Sequence, residues 1–355
     1  MSETDDFIGT MPVVEKNRFD NERLARWMAE NVEGFRGPLT VEQFRGGQSN
    51  PTFKLSAGGR SYVLRRKPPG KLLPSAHAVD REYRIITALR DTAVPVARSY
   101  ALCRDDAVIG TMFYVMEYVE GRIFWDPTLP SLALPQRRAV YDAMNAVIAA
   151  LHKVDYEALG LGDFGKPGNY FTRQIDRWTK QYRASETEKI EAMDRLIEWL
   201  PLNVPPDDET SIVHGDYRLD NMIFHPTEPR VVAVLDWELS TLGNPLGDFS
   251  YHMMGWELGQ DSFRGLAGKD LAALGVPSKE EYRALYCRRT GRDGIPHWDF
   301  YMAYNMFRMA AILQGIMGRV VEGTAANLKA RESGARARAL AEGGWRRVEA
   351  MERRG

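Results

Sequence analysis

Short apolar stretches typical of β-strands alternate with polar and glycine-containing connections over the first third of the chain. The segments 41–45, 52–56 and 61–66 are rich in β-forming residues, and their close spacing predicts an antiparallel meander. Residues 78–90 carry apolar side chains at helical spacing, which predicts a helix. Two more strands are predicted near 97–103 and 111–118. The pattern therefore predicts a small antiparallel sheet accompanied by one main helix.

From Glu120 onward the pattern changes to that of long helices. One apolar seam is formed by Val140, Met144, Val147, Ile148 and Leu151, and another by Met302, Met306, Met309, Leu313 and Ile316. Methionines at this spacing are interpreted as core filler rather than as a cofactor site. A β-rich insert is predicted over 211–237, and a further helix from Ala337. These patterns divide the chain into a predicted N-terminal lobe, 1–118, with a helical leader, and a predicted C-terminal lobe, 119–355.

The composition excludes several classes of protein. The 355 residues contain 47 basic and 48 acidic side chains, a formal net charge of −1, so no overall positive field attracts a nucleic-acid backbone. The two cysteines, Cys103 and Cys287, do not form a CxxC pair, which argues against a disulfide framework or a cysteine metal site. The sequence shows neither a signal-peptide pattern nor an apolar run long enough to span a membrane. It therefore predicts a cytoplasmic protein without nucleic-acid or membrane partners, and it specifies no oligomeric state.

The chemistry is concentrated in a loop that runs from His214 to Asn221 with the spacing H-x-D-x-x-x-x-N. Phosphoryl transfer needs a carboxylate beside the acceptor hydroxyl and oxygen ligands that hold Mg²⁺ against the nucleotide phosphates. Asp216 at the head of the loop can accept the hydroxyl proton, while the amide oxygen of Asn221 can reach a metal. A second carboxylate, Asp236, follows the next predicted strand, and such hard oxygen ligands suit Mg²⁺ better than zinc.

This segment resembles the Brenner-type motif of the aminoglycoside phosphotransferase and choline kinase superfamily. Further segments resemble the branch that also occurs as the N-terminal domain of some acyl-CoA dehydrogenase-family proteins. They are 46–51, 62–65, 67–70, 168–174 and 178–182. The resemblance implies an α+β, protein-kinase-like two-lobe fold, with a small antiparallel β-sheet N-lobe carrying one main helix and a larger, mainly helical C-lobe.

The resemblance also implies roles for individual residues of the C-terminal half. Asp216 would be the catalytic base, Asn221 and Asp236 the metal ligands, and Glu238 a further metal or water ligand. Asp248 matches a position that braces the catalytic loop through backbone hydrogen bonds. His214 is interpreted as a residue that organises the loop rather than as an acid or base.

A nucleotide site is predicted in the N-terminal lobe. Its predicted residues are Gly46, Gly47, Gln48, Ser49, Asn50, Arg65, Glu82, Met116, Glu117 and Tyr118. The loop 46–50 can lay backbone N–H groups and the Ser49 hydroxyl over phosphates, although a plain tight hairpin is the alternative. Arg65 stands where the phosphate-gripping lysine is usual, with Glu82 as its expected partner, and the adjacent Arg66 and Lys67 are alternatively solvated. Adenine is expected to dock at the hinge 113–121.

The acceptor must be recognised by the helical lobe, where one segment carries a strong charge. Residues 166–183 contain five basic side chains and a single acidic one, Asp176. Arg173, Arg177 and Lys180 share a helical face, which would suit an anionic acceptor better than a polycationic aminoglycoside. The resemblance suggests a hydroxyacyl-CoA as that acceptor. The alternative is a solvated helix face outside the site.

Together these features favour an ATP- and Mg²⁺-dependent kinase that phosphorylates a hydroxyl group of a small molecule. An aminoglycoside-type antibiotic kinase is an alternative within the same superfamily. A nucleotide-binding pseudokinase is a second alternative because Arg65 replaces the usual lysine, while intact Asp216, Asn221 and Asp236 argue against it. A metal-dependent hydrolase using His214, Asp216 and Asp220 is a third, weakened by the lack of a second histidine nearby.

Overall fold

The computed structural model describes residues 9–45, 50–69, 77–259, 265–324 and 330–354. These residues form two compact units. The first unit contains the described residues up to Trp125 together with Glu157–Phe164 and Arg218–Ser240, and the second contains Asp126–Tyr156, Gly165–Tyr217 and the described residues from Thr241 onward. The predicted β-rich insert is therefore divided between the two units, and the predicted lobe boundary after residue 118 stays a prediction.

The first unit is built on a six-stranded antiparallel sheet with the strand order β1-β2-β3-β4-β6-β5. Its strands are β1 (Thr10–Met11), β2 (Thr40–Phe44), β3 (Thr52–Ala57), β4 (Arg60–Arg66), β5 (Ser99–Cys103) and β6 (Phe113–Glu117). Its helices are α1 (Asn21–Asn31), α2 (Val79–Leu89) and the single turn α3 (Asp106–Ile109). The predicted meander and the predicted main helix are thus confirmed.

One face of this sheet is covered by α1, which places Leu24 and Met28 in the core with no exposed surface. The helix begins at Asn21 because the carboxylate of Asp20 accepts hydrogen bonds from the N–H groups of Glu22 and Arg23, both at 3.0 Å. Its apolar residues are spaced four apart and therefore lie on the face that contacts the sheet.

Alternation along β4 separates two neighbouring arginines. Tyr62, Leu64 and Arg66 are all buried, and Tyr62 and Leu64 belong to the core shared with α1. Arg66 is only 2% exposed, so it is not a solvated residue. Its guanidinium donates to the carbonyl oxygens of Asn17 (3.1 Å) and Ile109 (3.3 Å). Because successive side chains of a strand point to opposite faces, Arg65 is on the other side of the sheet.

A hairpin of β8 (Met222–Phe224) and β9 (Val231–Val234) also belongs to the first unit. Short 3₁₀ turns flank it at Leu219–Asn221 and Trp237–Leu239. The N–H of Leu235 donates to the carbonyl oxygen of Asn221 at 2.8 Å. Asn221 and Asp236 are therefore held at the same open end of this hairpin.

The second unit is mainly helical. Its helices are α4 (Leu134–His152), α5 (Tyr170–Ala184), α6 (Glu191–Leu202), α7 (Pro245–Glu257), α8 (Leu271–Leu274), α9 (Lys279–Thr290), α10 (Trp298–Val321), α11 (Ala330–Gly334) and α12 (Ala337–Glu352). Two short strands, β7 (Ser211–Val213) and β10 (Thr241–Gly243), pair antiparallel. Helix α10 packs against α5, α7 and α12. Met302 and Met306 pack in the core against Tyr251 and Met254 of α7, which confirms that they are core filler.

Helix α7 is buried on nearly all sides and therefore carries its polar side chains inside the unit. It begins at Pro245, where the side chain of Asn244 accepts a hydrogen bond from the N–H of Leu246 at 2.9 Å. Its buried polar residues include Asp248 and His252. A helix with this burial provides a rigid support for the loop that follows β7.

In the described part of the chain, no helix combines the length and the apolar character that crossing a membrane requires.

Both ring nitrogens of the buried His252 are engaged beneath that loop. Its Nδ1–H donates to the carbonyl oxygen of Tyr217 (3.2 Å), and its Nε2 accepts from the hydroxyl of Tyr282 (2.9 Å). Burial lowers the pKa of His252 to about 4, although the contact with Tyr217 and the charge of Asp248 act in the opposite direction. The ring is therefore neutral in the folded unit at neutral pH, and its protonation in acid opposes folding.

We predict that His252→Asn reduces the loss of stability in acid. Because the folded pKa lies below the ordinary value of 6.5, the unfolded chain binds the proton first as the pH falls. The wild type should therefore lose about 2 kcal/mol of unfolding free energy from this residue between pH 7.5 and pH 5. Urea unfolding at the two pH values measures the loss. The exposed His297 supplies a control, since His297→Asn should keep the wild-type loss, and an equal loss in His252→Asn would contradict the prediction.

Candidate active site

The loop after β7 is fixed by a buried carboxylate. Asp248 accepts hydrogen bonds from the backbone N–H groups of His214 and Gly215, both at 2.8 Å, and lies 3.3 Å from Nε2 of His152. Burial opposes the ionisation of Asp248, but the hydrogen bond and charge of His152, the nearby His214 and the N–H donor hold its pKa below the usual value. The structure thus places Asp248 where bracing of the catalytic loop is predicted.

Gly215 lets the loop turn between two opposite anchors. Its φ is +83°, a conformation that residues with a Cβ rarely adopt. While its N–H donates to Asp248, its carbonyl oxygen accepts a hydrogen bond from Nη2 of Arg308 at 2.8 Å. Both backbone polar groups at this position are therefore satisfied inside the second unit.

Asp216 follows this glycine and is partly accessible to solvent. Its Oδ1 accepts a hydrogen bond of 2.6 Å from the hydroxyl of Tyr251, and its N–H donates to Nδ1 of His214 at 3.2 Å. His214 is fully buried and uses its ring nitrogen as an acceptor for the loop backbone. The carboxylate of Asp216 is thus oriented by a side chain of α7 and supported by the imidazole beneath it.

In the first unit, three carboxylates surround the guanidinium of Arg65. Its Nε lies 2.8 Å from Oε2 of Glu82, and its Nη2 lies 2.8 Å from Oδ1 of Asp236 and 3.2 Å from Oε2 of Glu238. The contact with Glu82 is an ion pair rather than an aligned hydrogen bond, because Nε has no acceptor in suitable geometry. One cation therefore faces three acidic groups, which leaves an excess of negative charge that a further cation would offset.

Glu82 of α2 is held on both of its oxygens. Asn50 donates its amide to Oε1 at 2.8 Å, and the hydroxyl of Tyr114 donates to Oε2 at 3.2 Å. Burial, together with the carboxylates of Asp236 and Glu238, raises the pKa of Glu82 to about 7, although Arg65 and Tyr114 act in the opposite direction. The predicted pairing of Arg65 with Glu82 is therefore present in the structure.

The three predicted metal ligands all belong to the first unit. Asp236 has a φ of +63°, a left-handed backbone conformation that costs free energy in a residue other than glycine and is concentrated at functional sites. Asn221 is held next to it by the β8–β9 hairpin. Among the described residues, no group of three or more histidine, cysteine, aspartate or glutamate side chains forms a metal-binding cluster; the predicted set consists of two carboxylates and one amide.

Four of the predicted nucleotide-binding residues, Gly46, Gly47, Gln48 and Ser49, lie outside the described residues. Asn50 is fully buried, with its amide on Glu82 and its Oδ1 2.9 Å from Nδ1 of His77. The structure therefore shows Asn50 supporting the Arg65 partner.

The predicted hinge lies at the end of strand β6, which is next to the edge strand β5. Met116 and Tyr118 are partly buried, while Glu117 is exposed. The N–H of Glu117 is already donated to the carbonyl oxygen of Arg98 at 2.8 Å. Any further hydrogen bond to a purine from this stretch must therefore use other backbone groups.

The predicted acceptor-binding side chains on α5 are not equivalent. Arg173 donates to the carbonyl oxygens of Gly168 and Lys166, and Lys180 pairs with Asp176 at 2.8 Å. Arg177 is exposed and forms no ion pair or hydrogen bond with the described residues; its guanidinium lies 5.3 Å from the ring centre of Trp178. Of the three cations, Arg177 thus has the fewest polar contacts within the described residues.

Sequence reasoning missed Tyr251 and Arg308, the two side chains nearest to the Asp216 loop on α7 and α10. Tyr251 is 35 residues from Asp216, and Arg308 is 93 residues from Gly215. Within its helix each lies beside apolar core positions, so periodicity marks both as core. A charged residue among the buried methionines of α10 was the one available signal.

A cavity of about 530 Å³ in the second unit contains none of the predicted site residues. Arg347 of its lining lies 2.8 Å from both Glu257 and Asp299. Arg354 also lies 2.7 Å from Asp299. Because both carboxylates of the lining are paired with arginines, neither is available as a base for phosphoryl transfer.

The chain is similar to proteins of known family. The sequence profile of the phosphotransferase enzyme family, APH, matches residues 40–287. Acyl-CoA dehydrogenase family member 10 of Mus musculus is 50% identical over 312 residues, which cover 87% of this chain and 29% of that protein. The chain thus spans less than a third of that relative's length.

Solved structures agree with this assignment. A crystal structure of a protein from Ralstonia eutropha JMP134, described provisionally as an aminoglycoside phosphotransferase, is 60% identical, with a TM-score of 0.88 and coverage of 94% of this chain and 99% of the other. The aminoglycoside phosphotransferase APH(4)-Ia, in a ternary complex with ADP and hygromycin B, is 16% identical and has a TM-score of 0.59 over 91% of this chain and 98% of the other. This second likeness confirms the predicted protein-kinase-like fold. The chain belongs to the phosphotransferase enzyme family.

Proposed function

We propose that this kinase transfers the γ-phosphoryl group of ATP, with Mg²⁺, to a hydroxyl group of a small anionic acceptor such as a hydroxyacyl-CoA. The observation that carries the proposal is the anchored loop that presents Asp216. Asp248 holds the backbone on one side of the loop, Arg308 holds it on the other, and Tyr251 orients the Asp216 carboxylate. A carboxylate held in this way suits a general base that receives the acceptor proton.

The residues of the first unit fit a divalent cation. Oxygens of Asp236 and Glu238 converge on a single nitrogen of Arg65, so they already share a point that carries positive charge. Hard carboxylate and amide oxygens are suitable Mg²⁺ ligands, and Asp236, Asn221 and Glu238 would hold the ion. When bound, Mg²⁺ neutralises phosphate charge and fixes the nucleotide for in-line transfer.

Arg65 would serve as the phosphate-gripping cation in place of lysine. Its guanidinium keeps its charge at all working pH values and has more donors than an ammonium group, so it can retain Glu82 and still reach a phosphate oxygen. The loop 46–50 and the hinge residues Met116, Glu117 and Tyr118 would complete the nucleotide site. The bound ADP of APH(4)-Ia supports nucleotide binding in a protein of this fold.

The anionic acceptor is favoured by charge and by the relatives. Arg173, Arg177 and Lys180 are the proposed acceptor-binding side chains, and a cationic aminoglycoside would be repelled by them. The similar Mus musculus protein carries the name of an acyl-CoA dehydrogenase family member, which supports an acyl-CoA-linked hydroxyl compound. An aminoglycoside acceptor is the second candidate, since the hygromycin B complex belongs to a protein of the same fold.

We predict that Asp216→Ala lowers kcat about 10²–10⁴-fold, the range for loss of a positioned general base, while the affinity for ATP changes little. Phosphorylated product and ADP should be measured separately with 3-hydroxybutanoyl-CoA and with hygromycin B, so that transfer is distinguished from ATP hydrolysis. The exposed Asp293→Ala serves as the control. Near-normal transfer by Asp216→Ala would exclude Asp216 as the base.

We predict that Asp236→Ala and Asn221→Ala each abolish the dependence of nucleotide binding on Mg²⁺, because each removes one oxygen ligand. Calorimetric titration of a non-hydrolysable ATP analogue, with Mg²⁺ and with EDTA, measures this without turnover. Glu228→Ala, an exposed carboxylate of the β8–β9 connection, is the matched control. If both site variants keep the wild-type response to Mg²⁺, the metal ligands are elsewhere.

We predict that the double reversal Arg177→Glu with Lys180→Glu raises the KM for 3-hydroxybutanoyl-CoA at least tenfold and leaves the KM for ATP unchanged. Arg173 is left intact because its contacts with Gly168 and Lys166 hold the start of α5. Each exposed ionic contact contributes about 1 kcal/mol or less to the binding of the acceptor. Because salt screens such contacts, added salt should weaken the binding of 3-hydroxybutanoyl-CoA to the wild type. Arg288→Glu, at an exposed position of α9, is the control; an unchanged KM and salt response in the double reversal would mean that the face is only solvated.

A further inference from the structure

Arg308 is a buried charge near the middle of the core helix α10. It is 7% exposed, and its single hydrogen bond within the described residues goes from Nη2 to the carbonyl oxygen of Gly215. Its guanidinium carbon lies 5.0 Å from the ring centre of Tyr251 and 5.8 Å from that of Trp178. Two aromatic rings and one carbonyl group therefore fix the plane of the guanidinium.

The guanidinium of Arg308 forms no ion pair with the described residues, although the charge of Asp248 is among the influences that raise its pKa against the effect of burial. The less deeply buried Arg65, by contrast, has three carboxylates in contact with it. An ionised group that is removed from water without a partner costs several kcal/mol. Within the described residues, the nitrogens of Arg308 other than Nη2 donate no hydrogen bond. They remain available to an external acceptor of hydrogen bonds.

The position of this guanidinium relates it directly to Asp216. The carbonyl group that it binds belongs to the residue before Asp216, and the ring of Tyr251 on which it stacks donates its hydroxyl to Asp216. A second cation, Arg177, lies over the same Trp178 ring from α5 and also forms no ion pair with the described residues. Two guanidinium groups that form no ion pair with the described residues thus contact one indole, and one of them also binds the residue before the predicted base.

We propose that Arg308, fixed by Trp178 and Tyr251 and assisted by Arg177, binds an oxyanion group, a carboxylate or a phosphate, of the hydroxyl acceptor. A guanidinium that is already oriented can bind an oxyanion through two parallel hydrogen bonds, and little rotamer entropy is lost when it does so. Binding the acceptor by its anion would place its hydroxyl near Asp216. This inference rests on the proposed function. It assigns the main binding of the acceptor's anionic group to a buried residue of α10 rather than to the exposed face of α5.

The test measures the binding of three probes by calorimetry, with a non-hydrolysable ATP analogue and Mg²⁺ present. The probes are 3-hydroxybutanoate, its uncharged methyl ester and 3-hydroxybutanoyl-CoA, which separate a carboxylate from the phosphates of the coenzyme. We expect the wild type to bind at least one anionic probe ten times more tightly than the ester. In Arg308→Gln, whose amide can still donate to Gly215, this preference should be lost while ester binding stays unchanged. Arg308→Lys should retain part of it.

A matched control is Arg283→Gln, since Arg283 also stacks on a tryptophan, 4.3 Å from the ring centre of Trp298, and it should keep the wild-type preference. The melting temperature establishes that each variant is folded. The proposal is overturned if folded Arg308→Gln discriminates as the wild type does, if it weakens all three probes equally, or if the wild type shows no preference for an anion. Weaker binding of the ATP analogue alone would assign Arg308 to the nucleotide phosphates and also overturn it.

Failure of the proposed function would give a different experimental result from failure of the anion site. If the wild type binds an anionic probe through Arg308 but forms no phosphorylated product from any of the three probes, the anion site stands and the assigned transfer to these acceptors does not.

Discussion

The hydrogen bonds of one buried carboxylate, Asp248, are the constraint on which the arrangement of the predicted catalytic loop depends. An ionised carboxylate is expensive to remove from water unless its oxygens are satisfied, and here two backbone N–H groups and a histidine ring meet them. Hydrogen bonds to charged groups contribute about 1.5–3 kcal/mol each. A shift of the loop would break these hydrogen bonds and leave the buried charge of Asp248 without donors. Residues 214–216 are therefore held in one conformation.

The molecule uses its buried arginines in three different ways. Arg66 is satisfied by backbone carbonyl oxygens and aromatic rings and holds the core of the sheet. Arg65 concentrates negative charge by drawing three carboxylates together. Arg308 instead has one carbonyl group and two rings. The planar guanidinium allows all three, since it stacks on rings and presents several donors in fixed directions, which an ammonium group cannot do.

The two functional clusters depend on different physical effects. Around Asp216, orientation is set by hydrogen bonds from buried groups of α7 and α10, so the loop is rigid before any ligand is bound. Around Arg65, burial together with the charges of Asp236 and Glu238 raises the pKa of Glu82, and the excess of carboxylates makes the cluster responsive to added positive charge. In the proposed function, the first arrangement would position a general base and the second would supply carboxylate oxygens for Mg²⁺, two parts that kinases use in phosphoryl transfer.

The sequence by itself determined the elements and the local spacing. The sheet, the helix α2 and the apolar seams follow from periodicity, and the order and spacing of Asp216, Asn221 and Asp236 can be read directly along the chain. Alternation along β4 could also have separated Arg66 from Arg65. The pairing of Lys180 with Asp176, four residues apart on one helix, is likewise local. Only the tertiary structure decided that Tyr251 and Arg308 reach the Asp216 loop and that Arg308 forms no ion pair with the described residues. These facts depend on how helices distant in sequence pack, and hydrophobic periodicity identifies the face that a helix buries but not the polar group that it meets there.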